Sequence, residues 1–288
     1  MKELIVTTKY NNCKVSKFIF DSFPHLSSGT FYKALRQKDI KINGTRINKD
    51  CTIFTGDTIL LYISDELLIP HFNLDIIYED DNILLINKPA NLEVTGDNSL
   101  TTLIHNKYKD SIFKPMPCHR LDRNTTGIVL FAKNELSLNI LLDKFKKHEI
   151  TKKYLALVYG YPKQKYAKLE SFLFKDTKKS QVYVSDIFKK GYQKIITFYS
   201  VIKEYKNNSS LLEVEIETGK THQIRAHLAH IGYPIIGDGK YGINSVNKQF
   251  DAKYQQLQAY KLIFEFTSDS NILNYLKGKT FEIKPNWN

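Results

Sequence analysis

The chain has 288 residues, with 42 Lys and Arg against 30 Asp and Glu and a formal net charge of +12. That is length enough for one large domain or two, with a surface suited to a polyanionic partner. No apolar run approaches the ~18 residues of a membrane-spanning helix, and the start, Met1-Lys2-Glu3-Leu4-Ile5-Val6, has no signal-peptide core, so nucleic acid is favoured over a membrane. Cys13, Cys51 and Cys118 are far apart and form no CxxC pair. Neither a disulfide frame nor a zinc site is expected, and a reducing cytoplasm fits.

Residues 14–63 predict a compact unit. A helix over 14–23 ends before Pro24, and Ser27 or Ser28 caps a second helix whose Phe31, Ala34 and Leu35 form an apolar stripe. Residues 40–47 alternate around Asn43-Gly44, the strongest short hairpin signal, and Gly56-Asp57 precedes a strand over 58–63. Lys33, Arg36, Lys38, Lys41 and Arg46 fall on the second helix and the hairpin. Such a cluster suits RNA phosphates or, more blandly, makes a solvated basic face. The expected organisation is a small domain at 1–64, a linker at 65–73 containing Asp65, Glu66 and Pro70, and a larger domain at 74–288.

In the larger domain strands and helices alternate without βαβ regularity, which predicts an α+β fold on a mixed, largely antiparallel sheet. Residues 76–78 and 83–86 pair across Glu79-Asp80-Asp81-Asn82. Asn134 caps a helix with Leu138, Leu141, Leu142 and Phe145 on one face and Lys144, Lys146, Lys147 and His148 near its end. Leu212, Val214 and Ile216 alternate with Glu213, Glu215 and Glu217, a half-exposed strand. The helix that follows turns Ile224, Leu228 and Ile231 inward and stops at Gly232.

The most informative stretch is His119-Arg120-Leu121-Asp122-Arg123-Asn124-Thr125-Thr126-Gly127, running into the apolar Ile128-Val129-Leu130-Phe131. A carboxylate between two arginines at the lip of a buried strand is poised as an anion, to act as nucleophile or base; the plain alternative is a turn-capping Asp paired with a neighbouring Arg. The nine residues resemble the HRLDxxTSG signature of the RluA-type pseudouridine synthases, with Thr126 in place of Ser. Residues 152–160, Lys-Lys-Tyr-Leu-Ala-Leu-Val-Tyr-Gly, resemble the KxYxAxVxG strand of that family. Thr218-Gly219-Lys220-Thr221-His222-Gln223-Ile224-Arg225 resembles GRTHQIR with Lys220 for Arg, and residues 232–238 resemble a GxPIxGD turn. Residues 77–89 are similar to the opening hairpin. Four ordered motifs are far more specific than one. The helix, helix, hairpin order of residues 14–63 resembles the small RNA-binding domain named after ribosomal protein S-four.

The resemblance implies an RNA uridine isomerase. That reaction breaks the C1′–N1 bond, turns the retained uracil and rejoins it through C5, with no redox change. It assigns Asp122 as catalytic carboxylate, Tyr154 as the ring stacking on uracil and general base, and Arg225 as partner of Asp122. Arg120 would fill the space of the everted base and His119 would order the loop at the RNA, while Lys33, Arg36, Lys41 and Arg46 would hold RNA in the S-four-like domain. Read without the motifs, Tyr154 is a core aromatic, Arg225 pairs with Glu217 or another acid, and Cys118 is a small packed residue.

No metal, nucleotide or redox cofactor is implied. The expected partner is structured RNA, ribosomal before transfer RNA, met by a monomer in the cytoplasm of a bacterium. Gly237-Asp238-Gly239-Lys240-Tyr241-Gly242 satisfies GxGxxG, but no helix opens convincingly from it. His222, His227 and His230 make a poor metal triad, since Arg225 sits among them. The rival classes are a non-catalytic ribosome-associated RNA binder, which would need no Asp, Tyr and Arg together, and a nucleoside hydrolase, which would release free base.

Overall fold

The computed structural model describes residues 1–23, 26–64, 68 and 74–285. It divides into two compact units, Met1–Asn73 and Leu74–Asn288. Pro24 and most of the expected linker at 65–73 lie outside the described residues.

In the first unit, helices α1 (Val15–Ser22) and α2 (Ser28–Arg36) pack on a sheet in the order β1 (Lys2–Ile5), β6 (Thr58–Leu61), β3 (Ile40–Ile42), β4 (Thr45–Ile47). A small ladder joins β2 (Cys13–Lys14) to β5 (Thr52–Ile53). Ser27 is the cap of α2, its side chain accepting from the Thr30 N–H. Phe31, Ala34 and Leu35 are buried as the stripe predicts, with Val15, Phe18 and Ile19 facing them from α1. Asn43 and Gly44 both take positive φ, the primed turn that Asn-Gly favours. The edge strand β1 had no reading in the sequence; its short alternation pairs with β6. Leu68, expected in the linker, is buried in this core.

The second unit is built on an 11-stranded sheet, with strand order β13-β12-β14-β15-β11-β16-β10-β8-β7 and β9 and β17 beside β10 and β16. In chain order the strands are β7 (Ile76–Glu79), β8 (Ile83–Lys88), β9 (Met116–Pro117), β10 (Thr126–Ala132), β11 (Ile150–Tyr159), β12 (Tyr166–Asp176), β13 (Gln181–Ser185), β14 (Gln193–Tyr205), β15 (Ser209–Ile216), β16 (Leu257–Phe264) and β17 (Thr280–Glu282). Helices α3 (Leu100–Lys107), α4 (Glu135–Lys146), α5 (Gln223–His230) and α6 (Asn244–Gln249) complete it. Every paired edge is antiparallel except β10 with β16. The α+β fold on a mixed, largely antiparallel sheet is the one the sequence predicts.

Strand β10 is buried along its whole length, as its continuous apolar run requires. It touches β16 at only two pairs, Thr126 with Gln258 and Gly127 with Ala259. Gly127 has φ +111°, and a Cβ there would lie 2.2 Å from the Ala259 carbonyl oxygen, so no other residue fits.

Two details of the helices differ from the expected faces. On α4 the buried residues are Ser137, Leu141 and Lys144, at i, i+4 and i+7, so Leu142 is rotated about 100° away and exposed. Lys144 is not a solvated helix-end cation. Its Nζ donates to Glu149 Oε2 at 2.7 Å and to Ser268 Oγ at 2.7 Å, an enclosed ion pair whose lysine, with Ser268 and Thr267, holds the Glu149 carboxyl well below the usual range. On α5, Ile224 and Leu228 are buried while Ile231 is only half-buried at the helix end.

Candidate active site

Three distant segments make one pocket, whose lining includes Arg120, Asp122, Lys152, Tyr154, His222 and Arg225. Asp122 comes from the loop entering β10, Tyr154 from the middle of β11, and Arg225 from the first turn of α5. The Arg225 guanidinium reaches both ways. Its Nη1 donates to Asp122 Oδ2 at 2.9 Å, and its Nε and Nη2 donate to Asp238 Oδ2 and Oδ1 at 2.7 and 3.0 Å. Asp238 is fully buried, and its Oδ1 also accepts the N–H groups of Lys240 and Tyr241. Burial raises the Asp238 carboxyl, but Arg225 and those two N–H groups outweigh it and hold it below the usual range. The result is a fixed cation presenting one free edge to Asp122. Asp122 is half-buried. One carboxylate oxygen, Oδ2, is anchored and the other, Oδ1, is left without a protein partner among the described residues.

Tyr154 is buried and lines the pocket beside Asp122. The β11–β16 register shifts between Lys153 and Tyr154: Lys153 pairs with Lys261 but Tyr154 with Ala259, leaving Tyr260 extra. A bulge at such a place re-aims a side chain, and here it sets the tyrosine opposite an alanine. Burial and the nearby Asp122 anion push the phenol above its ordinary range. It therefore stays neutral beside the carboxylate.

A model of the RNA pseudouridylate synthase family matches residues 82–230. Over 270 residues the chain is 34% identical to ribosomal large subunit pseudouridine synthase C of Rickettsia felis, covering 85% of this chain and 86% of that protein. It is 32% identical over 308 residues to an uncharacterized RNA pseudouridine synthase of Mycoplasma capricolum, covering 100% and 99%. The chain belongs to the RNA pseudouridylate synthase family. Its fold is shared with the solved human RNA pseudouridylate synthase domain containing 1, at TM-score 0.58 and 23% identity over 68% of this chain and 80% of that one.

In the synthase the cation at Asp122 is Arg225, the partner that the resemblance implies. The flanking arginines do not make the pairing: Arg120 is exposed and Arg123 donates from Nε to Asn91 Oδ1. Asp122 opens a turn, its carbonyl accepting the Thr125 N–H at 3.0 Å, and the partner of its carboxylate arrives from residue 225. Arg120 still lines the pocket and the groove beside it. His119 lies beneath the loop, its Nε2 accepting the Leu130 N–H at 3.1 Å and its ring against Phe145. Burial drives that imidazole well below its ordinary pKa, so it serves as a neutral fastener of the loop.

Several supports had no reading in the sequence. Lys88 is fully buried and donates to the carbonyls of Pro89, Leu92 and Arg123 at 2.7–3.0 Å, pinning the residue after Asp122. Burial pulls its pKa down to about 7, against Asp122 and Glu93. Gln223 makes four bonds, to Ile196 O, Thr197 Oγ1, Thr218 Oγ1 and Lys220 N, fixing the turn that launches α5. In the sequence Asp238 stands out only as the end of the GxPIxGD-like turn. The GxGxxG match is that turn: Cβ atoms at Gly237 and Gly242 would lie 2.0 Å and 2.3 Å from backbone oxygens of Tyr254 and Asp238, so the glycines close a shelf for Asp238.

The remaining candidates have structural partners. Buried His227 bonds Thr197 and Ser171, and burial takes its pKa to about 4, while His230 pairs with Asp186. No group of three metal-ligating side chains exists among the described residues. Cys118 is a packed thiol pushed up to about 12 by burial. In the first unit, Lys33 and Arg36 lie in the last turn of α2. Lys41 and Arg46 face each other across the hairpin, both over the Tyr62 ring at 5.2 and 5.5 Å.

Proposed function

We propose that this synthase converts specific uridines to pseudouridine in bacterial large-subunit ribosomal RNA, with Asp122, Tyr154 and Arg225 as the working residues. The observation that supports it most is the half-buried Asp122, anchored at Oδ2 by Arg225 and open at Oδ1 toward a pocket it shares with Tyr154. Asp122 acts on the ribose as an anion, at C1′ or at the 2′ proton. Arg225 aims the carboxylate while Asp238 holds the guanidinium still. The Tyr154 ring gives the detached uracil a face to rest on while it turns, and its neutral hydroxyl takes the C5 proton only as it passes its own proton on to the RNA or to water, so it serves as a proton relay. A paired uridine must first leave its stack, and Arg120 at the pocket mouth fills the gap.

The substrate half of the proposal draws on the names of the relatives, ribosomal large subunit pseudouridine synthases C and D. It also draws on the net charge of +12 and on the free cysteines, which suit a monomeric enzyme of the cytoplasm. Pseudouridine mapping across total RNA from a strain lacking the protein is expected to lose one to three uridines, in loops of the large ribosomal RNA. Loss confined to transfer RNA would overturn the substrate, and no loss would favour a non-catalytic binder.

We further assign residues 1–64 as an S-four-like RNA anchor through Lys33, Arg36, Lys41 and Arg46. Its separate core and the exposed cations on α2 and β4 support the assignment. Removing residues 1–64 is expected to weaken binding to large structured RNA more than to a short stem-loop and to flatten the dependence of log K on log salt. Equal salt slopes for the truncated and full proteins would sink the assignment.

A further inference from the structure

His222 stands where two cavities meet. It lines the pocket of Asp122, Tyr154 and Arg225, and also the wider groove whose walls include Arg120, Arg123, Lys175 and Lys240. It precedes α5 with φ +52°, a left-handed conformation that a non-glycine residue keeps only where its surroundings hold it. Tyr241 does the holding: its hydroxyl is 2.9 Å from His222 Nδ1, and the rings meet edge to face at 5.7 Å.

The direction of that hydrogen bond follows from its neighbours. The Tyr241 oxygen already accepts the Val182 N–H at 2.9 Å, and the Arg225 guanidinium lies over the Tyr241 ring at 5.3 Å. Among the described residues the phenol proton has no acceptor but Nδ1. With Nδ1 accepting, a neutral imidazole carries its proton on Nε2. Burial favours that neutral form, against the pull of Asp122. Nε2 has no protein partner among the described residues, so the ring offers one N–H of fixed direction at the junction of the cavities.

We propose that His222 contacts substrate, its Nε2–H donating to a phosphate oxygen of the target nucleotide. The inference rests on the proposed roles of Asp122 and Tyr154, which place the everted base in the inner pocket. The rest of the RNA strand then follows the cationic groove. What spans the junction is the ribose with its phosphate, and a donor-only group among four cations selects an acceptor-only anion.

The test is steady-state tritium release from 5-labelled uridine RNA by wild type, His222→Gly, His222→Asn and Tyr241→Phe. His222→Gly relieves the left-handed backbone while giving up the Tyr241 hydrogen bond, so its melting temperature stays close to wild type, yet kcat/KM falls by roughly 10- to 100-fold for one lost hydrogen bond to a charged group. Asn tolerates the same backbone conformation and carries an amide donor, so His222→Asn recovers part of the loss. Tyr241→Phe frees the tautomer and falls between. On a stem-loop with a mapped target, a neutral methylphosphonate at the flanking phosphate slows wild type but slows His222→Gly no further.

Wild-type kcat/KM in His222→Gly, an Asn variant no better than Gly, or additive losses with the methylphosphonate would each overturn the proposal. Absence of tritium release by wild type would instead overturn the catalytic reading beneath it.

Discussion

Asp122→Ala is expected to abolish tritium release from 5-labelled uridine RNA, by roughly a thousandfold or more, while RNA affinity stays within a few-fold. The separation of the two effects follows from the geometry. Arg225 is held by Asp238 through two hydrogen bonds and by Asp122 through one, so removing Asp122 leaves the pocket wall standing. Asp122→Asn preserves the shape but turns an anion into an amide beside a guanidinium, and the same loss is expected. Undiminished release from either variant would remove Asp122 from the chemistry.

Asp238→Ala is expected to be the most destabilising single change near the site. It strips a guanidinium that is 7% exposed of its bidentate acceptor. Breaking a buried ion pair from one side costs about 3–5 kcal/mol, to be read as a shift in the urea midpoint at constant slope. Replacing both partners, as in Arg225→Met with Asp238→Leu, removes the orphaned charge and is expected to restore most of the stability without restoring turnover. If Asp238→Ala melts like wild type, the carboxylate does not hold Arg225 in the way the distances imply.

The parts of the site that were legible in the sequence are those whose chemistry is local. The loop from His119 to Gly127 announces an acid at the edge of a buried strand, and Tyr154 and Arg225 stand in segments with their own patterns. The Asn43-Gly44 hairpin and the Ser27 cap are likewise settled within a few residues. What was not legible is pairing at a distance. Asp238 lies 13 residues beyond Arg225 in a turn, and nothing in that spacing says that a helix and a loop fold the two together. The bulge at Tyr154 is a matter of register between β11 and β16, which no single strand reveals. Lys144 misled for a different reason: a lysine near a helix end ordinarily favours solvent, and only the acceptors Glu149 and Ser268 make its burial tolerable.

The contact at Ala259 gives the enzyme something like a surveyor's benchmark. Gly127 approaches it from β10 so closely that a side chain would collide with the Ala259 backbone, and Tyr154 is paired with it from β11. The acid-bearing loop and the aromatic ring are therefore both measured from one stretch of main chain, with no flexible side chain in between. Surface loops and outer strands can drift through substitution without altering that measurement. The site cannot be transplanted by copying Asp122, Tyr154 and Arg225 onto another scaffold, because the distance between acid and ring is set by where β16 passes between β10 and β11.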